Sequence, residues 1–319
     1  MLPYEQIESQ RRISDMLKRE LGPTVLEALY DSQVVEILLN PDGKIWKEVS
    51  GTGLVDTGEQ ILRSTAENLL CTLASYAGVE INASNPLLEM ELPIDGSRFE
   101  GVYPPIVSAP AFAIRKKPGR IFSLADYEDK KILSSHYAKA LREAIIRKDN
   151  ILIIGGTGSG KTTFANGLLY EMAQLDKARR LVVIEDTIEL QCALPNHISM
   201  KTSSAMDMVK CLKAAMRFRP DSIVIGEVRG AEALTLIKAW NTGHPGGIAT
   251  IHANSAKAGL VRLEQLIQEA GVIPIPAVIA EAVNLIVFIT KIKNSPGRMV
   301  SELLRIHGYA QDDYMFQPI

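Results

Sequence analysis

A chain of 319 residues, 46% hydrophobic and 23% charged, is too apolar to remain disordered and long enough to bury more than one core. Its 35 basic and 37 acidic side chains leave a formal net charge of -2, which excludes a pull toward nucleic acid or an anionic membrane by global charge alone. The three cysteines, Cys71, Cys192 and Cys211, are widely spaced and form no CxxC, so they suggest neither a disulfide framework nor a zinc site, and reduced thiols in a cytoplasmic protein are expected.

In chain order, residues 5–30 suit one or two short helices, and the first 20 residues are too polar for the apolar core of a secretory signal. Residues 34–49, VVEILLNPDGKIWKEV, read as strand, Pro-Asp-Gly turn and strand. Within 60–77, Ile61, Leu62, Ala66, Leu69, Leu70, Leu73 and Ala77 fall near one helical face. A second hairpin turns at Asp95-Gly96, and AFAIRKK, residues 111–117, reads as a further strand. Together these predict a compact α+β domain over residues 1–118.

Pro118-Gly119 and the dense charge of 116–131 then predict an exposed connection, with a linker at 119–131 and a second domain at 132–319. In that second domain, apolar runs at 151–154, 181–184, 223–225 and 248–251 alternate with helical segments. This is the α/β pattern of a parallel sheet covered by helices on both faces. The most apolar window, 272–290, has about the length of a membrane span, yet it carries Pro274, Pro276, Glu281 and Asn284. It is read as a short helix followed by a buried strand.

The chemistry begins at GGTGSGKTT: Gly155, Gly156, Thr157, Gly158, Ser159, Gly160, Lys161, Thr162 and Thr163. The first eight fit the phosphate-loop pattern G-x-x-x-x-G-K-[ST] in full, between a strand and a helix. Glycines let successive backbone N–H groups turn inward and form an anion nest at the positive end of the following helix. Lys161 can then reach the β and γ phosphates of ATP, and the Thr162 hydroxyl can coordinate Mg2+.

Hydrolysis needs carboxylates at nearby strand ends. RLVVIEDTIEL supplies Glu185, Asp186 and Glu189, while DSIVIGEVRG supplies Glu227 followed by Arg229. One carboxylate could hold the metal and another could orient the attacking water. TGHPGGIATIHANSA places His244 before an apolar strand and His252 at its end, where a histidine can sense the γ-phosphate or hydrogen-bond a catalytic carboxylate.

The succession GGTGSGKTT, VVIEDTIEL, RFRPDSIVIGEVRGAEA and TGHPGGIATIHANSA resembles the Walker A, Asp box, Walker B and His box of the type II/IV secretion ATPases that serve secretion, type IV pili and conjugation. ILLNPDGKIWKE and LPIDGSRFEGVYPPIVSAPAFAIRKK resemble that family's N-terminal domain, so the likeness covers nearly the whole chain. Within the family, the sequence looks most like the TrbB-like conjugal transfer ATPases. It lacks the four-cysteine zinc module of type II assembly ATPases and the AIRNLIRE-like segment of pilus retraction ATPases.

The resemblance implies a RecA-like P-loop ATPase domain preceded by a PAS-like N-terminal domain, assembled as a homohexamer on the cytoplasmic face of the inner membrane. Inner-membrane secretion-channel proteins are the implied partners, with peripheral membrane association and no sequence-specific nucleic acid. Glu185 is then expected to activate water, and Glu227 to serve the magnesium side, although the two roles could be exchanged. Arg98 of DGSRF and Arg115 of AIRKK match family positions that approach the phosphates from the N-terminal domain, while Arg217 and Arg219 are weaker candidates. A nucleic-acid translocase of the same RecA-like class and a nucleotide-gated scaffold with incidental turnover are the rival functions.

Overall fold

A computed structural model describes residues 4–49, 51–117, 121–203 and 205–319, with the side chains of 4–12 excepted. The chain divides into two compact units, Met1–Gly119 and Arg120–Ile319. The boundary dipeptide Pro118-Gly119 lies outside the described residues.

The first unit runs α1 (Tyr4–Tyr30), β1 (Val34–Leu39), β2 (Lys44–Val49), β3 (Gly53–Gln60), α2 (Arg63–Ala77), β4 (Leu87–Glu91), β5 (Arg98–Val102) and β6 (Ala111–Arg115). Both hairpins read from the sequence, β1–β2 and β4–β5, are present, and the six strands form one antiparallel sheet in the order β3-β2-β1-β6-β5-β4. α1 is two helical segments joined at Gly22, whose φ of 73° precedes Pro23; a proline deprives the helix of a backbone donor there. Leu17, Leu21 and Val25 from α1 and Leu69, Leu70 and Leu73 from α2 pack with Ile37, Leu39, Phe99 and Ile114 of the sheet.

The second unit contains α3 (Leu124–Asp129), α4 (Ser135–Arg147), β7 (Ile151–Ile154), α5 (Lys161–Leu175), β8 (Leu181–Glu185), β9 (His197–Lys201), α6 (Met208–Ala215), β10 (Ser222–Ile225), α7 (Glu232–Asn241), β11 (Ile248–Ile251), α8 (Ala256–Glu269), α9 (Pro276–Ala282), β12 (Leu285–Lys291), β13 (Arg298–Ala310) and β14 (Asp313–Pro318). Its eight-stranded sheet has the order β14-β13-β12-β7-β11-β10-β8-β9. The pairings from β12 to β9 are parallel, and β13 and β14 extend the sheet antiparallel at the β12 end. This antiparallel extension was not among the elements expected from the sequence.

The buried strands divide their side chains between two cores by simple alternation. Leu152, Ile154, Val182, Ile184, Ile223, Ile225, Ala249 and Ile251 face the layer of α6, α7, α8 and α9. Ile151, Ile153, Leu181, Val183, Val224 and Ile248 face α3, α4 and α5. Each Val, Leu or Ile among them, fully removed from water, contributes roughly 1.5–3 kcal/mol before entropy is counted.

The expected linker at 119–131 requires correction, because most of it belongs to this second core. Ser123 and Asp126 form a reciprocal capping box that starts α3. Leu124 and Tyr127 are buried, and the Tyr127 ring meets Phe164 edge-on at 5.1 Å. Charge at 128–131 masked a short amphipathic helix whose inner face is apolar.

Asn150, 3% exposed, ties together the strand ends opposite the phosphate loop. Its Nδ2 donates to Ala282 O at 2.7 Å, its Oδ1 accepts from Gly247 N at 2.9 Å, and its backbone N–H donates to Asn284 Oδ1 at 2.7 Å. Asn150→Ala leaves a buried N–H and a buried C=O without partners, so we expect a loss of about 2–4 kcal/mol. Urea unfolding of the full chain, followed through the transition of the second unit, checks this; a change below about 0.5 kcal/mol would remove Asn150 from that role.

Candidate active site

The parallel arrangement brings every strong sequence candidate of the second unit to one edge of the sheet. Reading across the C-terminal strand ends, Glu185 closes β8, Glu227 follows β10, His252 follows β11, and the phosphate loop follows β7. These residues are far apart in sequence, but adjacent strands of a sheet lie only about 5 Å apart.

Burial and close packing shape the loop. A Cβ on Gly155 would collide with Ile289 O and stand 2.5 Å from Ser159 Oγ, so only glycine lets the chain leave β7 there. Gly158 (φ 66°) and Gly160 (φ 99°) take the left-handed backbone that curls the chain into α5. Lys161, the first residue of α5, is 6% exposed and folds back so that its Nζ donates to Gly155 O at 3.0 Å and Gly156 O at 3.1 Å. The Ser159 Oγ is buried without a hydrogen-bond partner among the described residues.

A chain of polar contacts continues from the loop. Lys161 Nζ lies 3.2 Å from His252 Nδ1, His252 Nε2 lies 2.9 Å from Glu227 Oε1, and Glu227 Oε2 accepts from Arg229 at 2.8 Å. Arg229 reaches Asp186 at 3.9 Å, and Asp186 accepts from Thr202 Oγ1 at 2.8 Å. Backbone bonds fix Glu227 in place on both sides: Gly226 N–H donates to Ile184 O at 3.0 Å, and Val228 N–H to Thr250 O at 2.9 Å.

Burial works to raise the Glu227 pKa, but the Arg229 hydrogen bond and charge, helped by His252 and Lys161, outweigh it and hold the carboxyl below its usual 4.5. His252 moves down as well, below 6.5. Burial is the main cause, and the charges of Lys161 and Arg229 add to it against the opposing pull of Glu227. The ion pair alone would favour imidazolium, but burial, with the surrounding cations, favours neutral imidazole, which donates to Glu227 through Nε2 and accepts from Lys161 through Nδ1.

Glu185 has a different setting. It is 4% exposed, and its Oε1 accepts from the backbone N–H groups of Glu189 at 3.0 Å and Leu190 at 2.9 Å. The side chain stands beside Gly226, where a Cβ would lie 2.9 Å from Glu185 Cγ. Asn166 of α5, which the sequence reading did not single out, secures the same loop: its Nδ2 donates to Glu189 O at 3.2 Å, and its Oδ1 accepts from Gln191 N at 2.8 Å. Arg229 also emerges here as a network member, pairing with Glu227 two residues before it; its place just after the strand-end acid in GEVRG was the signal for it.

Other candidates lie elsewhere. His244 precedes β11 and bonds Pro220 O at 2.9 Å, and Arg217 and Arg219 precede β10, so all three sit at the opposite strand ends. Arg98 and Arg115 belong to the first unit, where they are direct register partners across β5 and β6, flanked by Glu91 and Glu36 on the neighbouring strands.

Because both His252 and Glu227 are shifted down, acidification penalises the folded state: the His252 cost begins as pH falls below about 6.5, and the Glu227 contribution goes below about 4.5. We expect the His252 ring nitrogens, followed by NMR, to titrate below pH 6.5, and to titrate lower still in Glu227→Gln, which removes the negative neighbour. A midpoint at or above the ordinary value in wild type would contradict the network.

Comparison with known proteins extends beyond this site. Residues 29–301 match the family described as type II/IV secretion system protein. The conjugal transfer protein TrbB of Rhizobium radiobacter is 47% identical over 309 residues, 97% of this chain and 95% of that protein. The type IV secretion system protein VirB11 of Bartonella henselae is 32% identical over 284 residues, covering 76% and 78% of the two chains. Among solved structures, the Legionella pneumophila ATPase DotB superposes with a TM-score of 0.62 at 20% identity, over 88% of this chain and 78% of that one. The pilus retraction motor PilT with bound ADP gives 0.61 at 19% identity, over 92% and 80%. These likenesses establish the fold, and the match of family and near-full-length relatives establishes descent: this chain belongs to the type II/IV secretion system protein family.

Proposed function

We propose that the protein is the ATP-hydrolysing motor of a type IV secretion or conjugative transfer system, powering pilus assembly or substrate transfer. The observation that carries this reading is the meeting of the phosphate loop, Lys161, His252, Glu227 and Glu185 along one sheet edge. The near-full-length likeness to TrbB of Rhizobium radiobacter supports the conjugative branch.

Residues 155–163 form the nucleotide cradle, with Lys161 exchanging the carbonyls of Gly155 and Gly156 for phosphate oxygens. The orphaned hydroxyl of Ser159 is a further polar atom suited to that cradle. Among the described residues no cluster of three or more His, Cys, Asp or Glu side chains could hold a metal by itself. Mg2+ does not require one, since it retains waters and phosphate oxygens and takes only one or two protein ligands. Thr162 and Glu227, whose carboxyl is held ionised, fit that donor set. Bound there, Mg2+ supplies charge neutralisation for phosphoryl transfer.

Glu185 orients and deprotonates the attacking water in this reading, and His252 couples the Glu227 side to Lys161. Arg98 and Arg115 act as cations from the first unit, which we read as the PAS-like domain. The working assembly is a homohexamer at the cytoplasmic face of the inner membrane, docked on channel proteins; no helix among the described residues is long and apolar enough to cross a membrane.

Steady-state ATPase assays with light scattering test the proposal. Lys161→Ala should lower turnover by at least about 100-fold, and the wild-type mass with ATP should correspond to six subunits. Glu185→Gln keeps an oxygen for the Glu189 and Leu190 N–H groups and so preserves the loop, yet should lower kcat roughly 100-fold or more with ADP affinity retained. Wild-type turnover unaffected by Lys161→Ala would sink the motor reading, and transfer that continues in Glu185→Gln cells without hydrolysis would favour a scaffold.

A further inference from the structure

β12 continues past the end of β7, and its hairpin with β13 carries two cations to the phosphate loop. The register is fixed: Phe288 pairs with Ile154, the last residue of β7, and Gly155 packs against Ile289. Lys291 is therefore beside the loop, and across the β12–β13 hairpin its direct partner is Arg298. The hairpin end is closed by Ile292 N–H to Gly297 O at 3.0 Å and Gly297 N–H to Asn294 O at 2.7 Å.

Both head groups reach glycines of the loop. A Cβ built on Gly158 would stand 2.9 Å from Lys291 Nζ, and one on Gly160 would stand 2.6 Å from Arg298 Nη1. Neither cation has a carboxylate partner or a side-chain hydrogen bond among the described residues. The hydroxyl of Tyr127 is close enough to feel the charge of Arg298, but burial pushes its pKa far up, so it remains neutral and offers no counter-charge. With Lys161 buried beneath the same loop, three positive side chains converge on six residues. Such clustering is repulsive in the free protein and becomes favourable when a polyanion arrives.

We propose that Lys291 and Arg298 are nucleotide-phosphate ligands, a cationic pair presented by the β12–β13 hairpin to the di- or triphosphate held by residues 155–162. The inference rests on the phosphate-loop reading and adds to it two residues outside the four sequence motifs. It also gives the C-terminal antiparallel strands a task, because β13 and β14 brace the hairpin that carries the pair.

The test is the affinity of the full chain for ADP and for ATP, measured by titration calorimetry at low and high salt. Lys291→Ala and Arg298→Ala should each weaken ADP binding roughly tenfold, as expected for loss of a charge-assisted contact. The double variant should also lose part of the salt sensitivity of binding. Lys291→Arg and Arg298→Lys keep the charge, though not the same donor geometry, and should retain clearly more affinity than the alanine variants, and thermal unfolding without nucleotide should be unchanged in all four. Unaltered ADP affinity in the double alanine variant overturns the proposal, as does an equal loss in the charge-keeping variants, which would point to packing. Failure of the wild type itself to bind ADP would instead sink the phosphate-loop reading on which the pair depends.

Discussion

The arrangement depends on one constraint: β7 is hydrogen-bonded along both edges and buried on both faces, so its chain can meet polar chemistry only where it leaves the sheet. Gly155 is that exit. The backbone of β12 comes so close that a side chain would have no room, and the left-handed Gly158 and Gly160 turn the chain into α5 within the next five residues. Parallel pairing then sets the direction of the other strands, so β8, β10, β11 and β12 all end at the same edge as β7. Glu185, Glu227, His252 and Lys291 share that edge because their strands are aligned, and each arrives there by its own route along the chain.

Electrostatics separates the two glutamates that the sequence treats alike. Burial raises the Glu227 pKa, but the Arg229 hydrogen bond and charge, with the charge of Lys161 behind them, outweigh it and keep the carboxyl ionised. Glu185 has backbone donors at Glu189 and Leu190 and so shapes the turn that follows its strand. A carboxylate held in its ionised form is in the state that a metal takes as ligand, whereas one that organises a loop suits a role in which position matters most. Neutral His252 between Lys161 and Glu227 links the loop to the second strand end through a hydrogen bond rather than a full charge pair. Movement of Lys161 off its carbonyls would therefore be felt at Glu227.

Much of this was legible from local sequence. The hairpins at 34–49 and 87–102, the α2 helix and the four apolar runs of the parallel sheet all follow from periodicity and turn residues, and the phosphate loop from its pattern between strand and helix. The segment 121–131 misled because Asp129, Lys130 and Lys131 are exposed while Leu124 and Tyr127 are buried, a distribution that a composition count reads as linker. β13 and β14 were missed because their half-buried pattern mixes polar and apolar residues without strict alternation. Asn166 and Asn150 carried no signal, since a buried asparagine is defined by the backbone groups it satisfies and not by its neighbours in sequence.

By itself the sequence determined the chemistry that short spacing can encode: a phosphate loop, acids at two strand ends, a histidine at a third, and the order of motifs that marks the family. These are properties of contiguous residues, whose backbone geometry is local. Only the tertiary structure decided which of the acids faces cations, that His244 and the arginines at 217 and 219 lie at the far strand ends, and that Lys291 and Arg298 reach the loop. The physical reason is that strand order and register are fixed by packing two apolar faces at once, and proximity between residues more than a hundred positions apart exists only after that packing is complete.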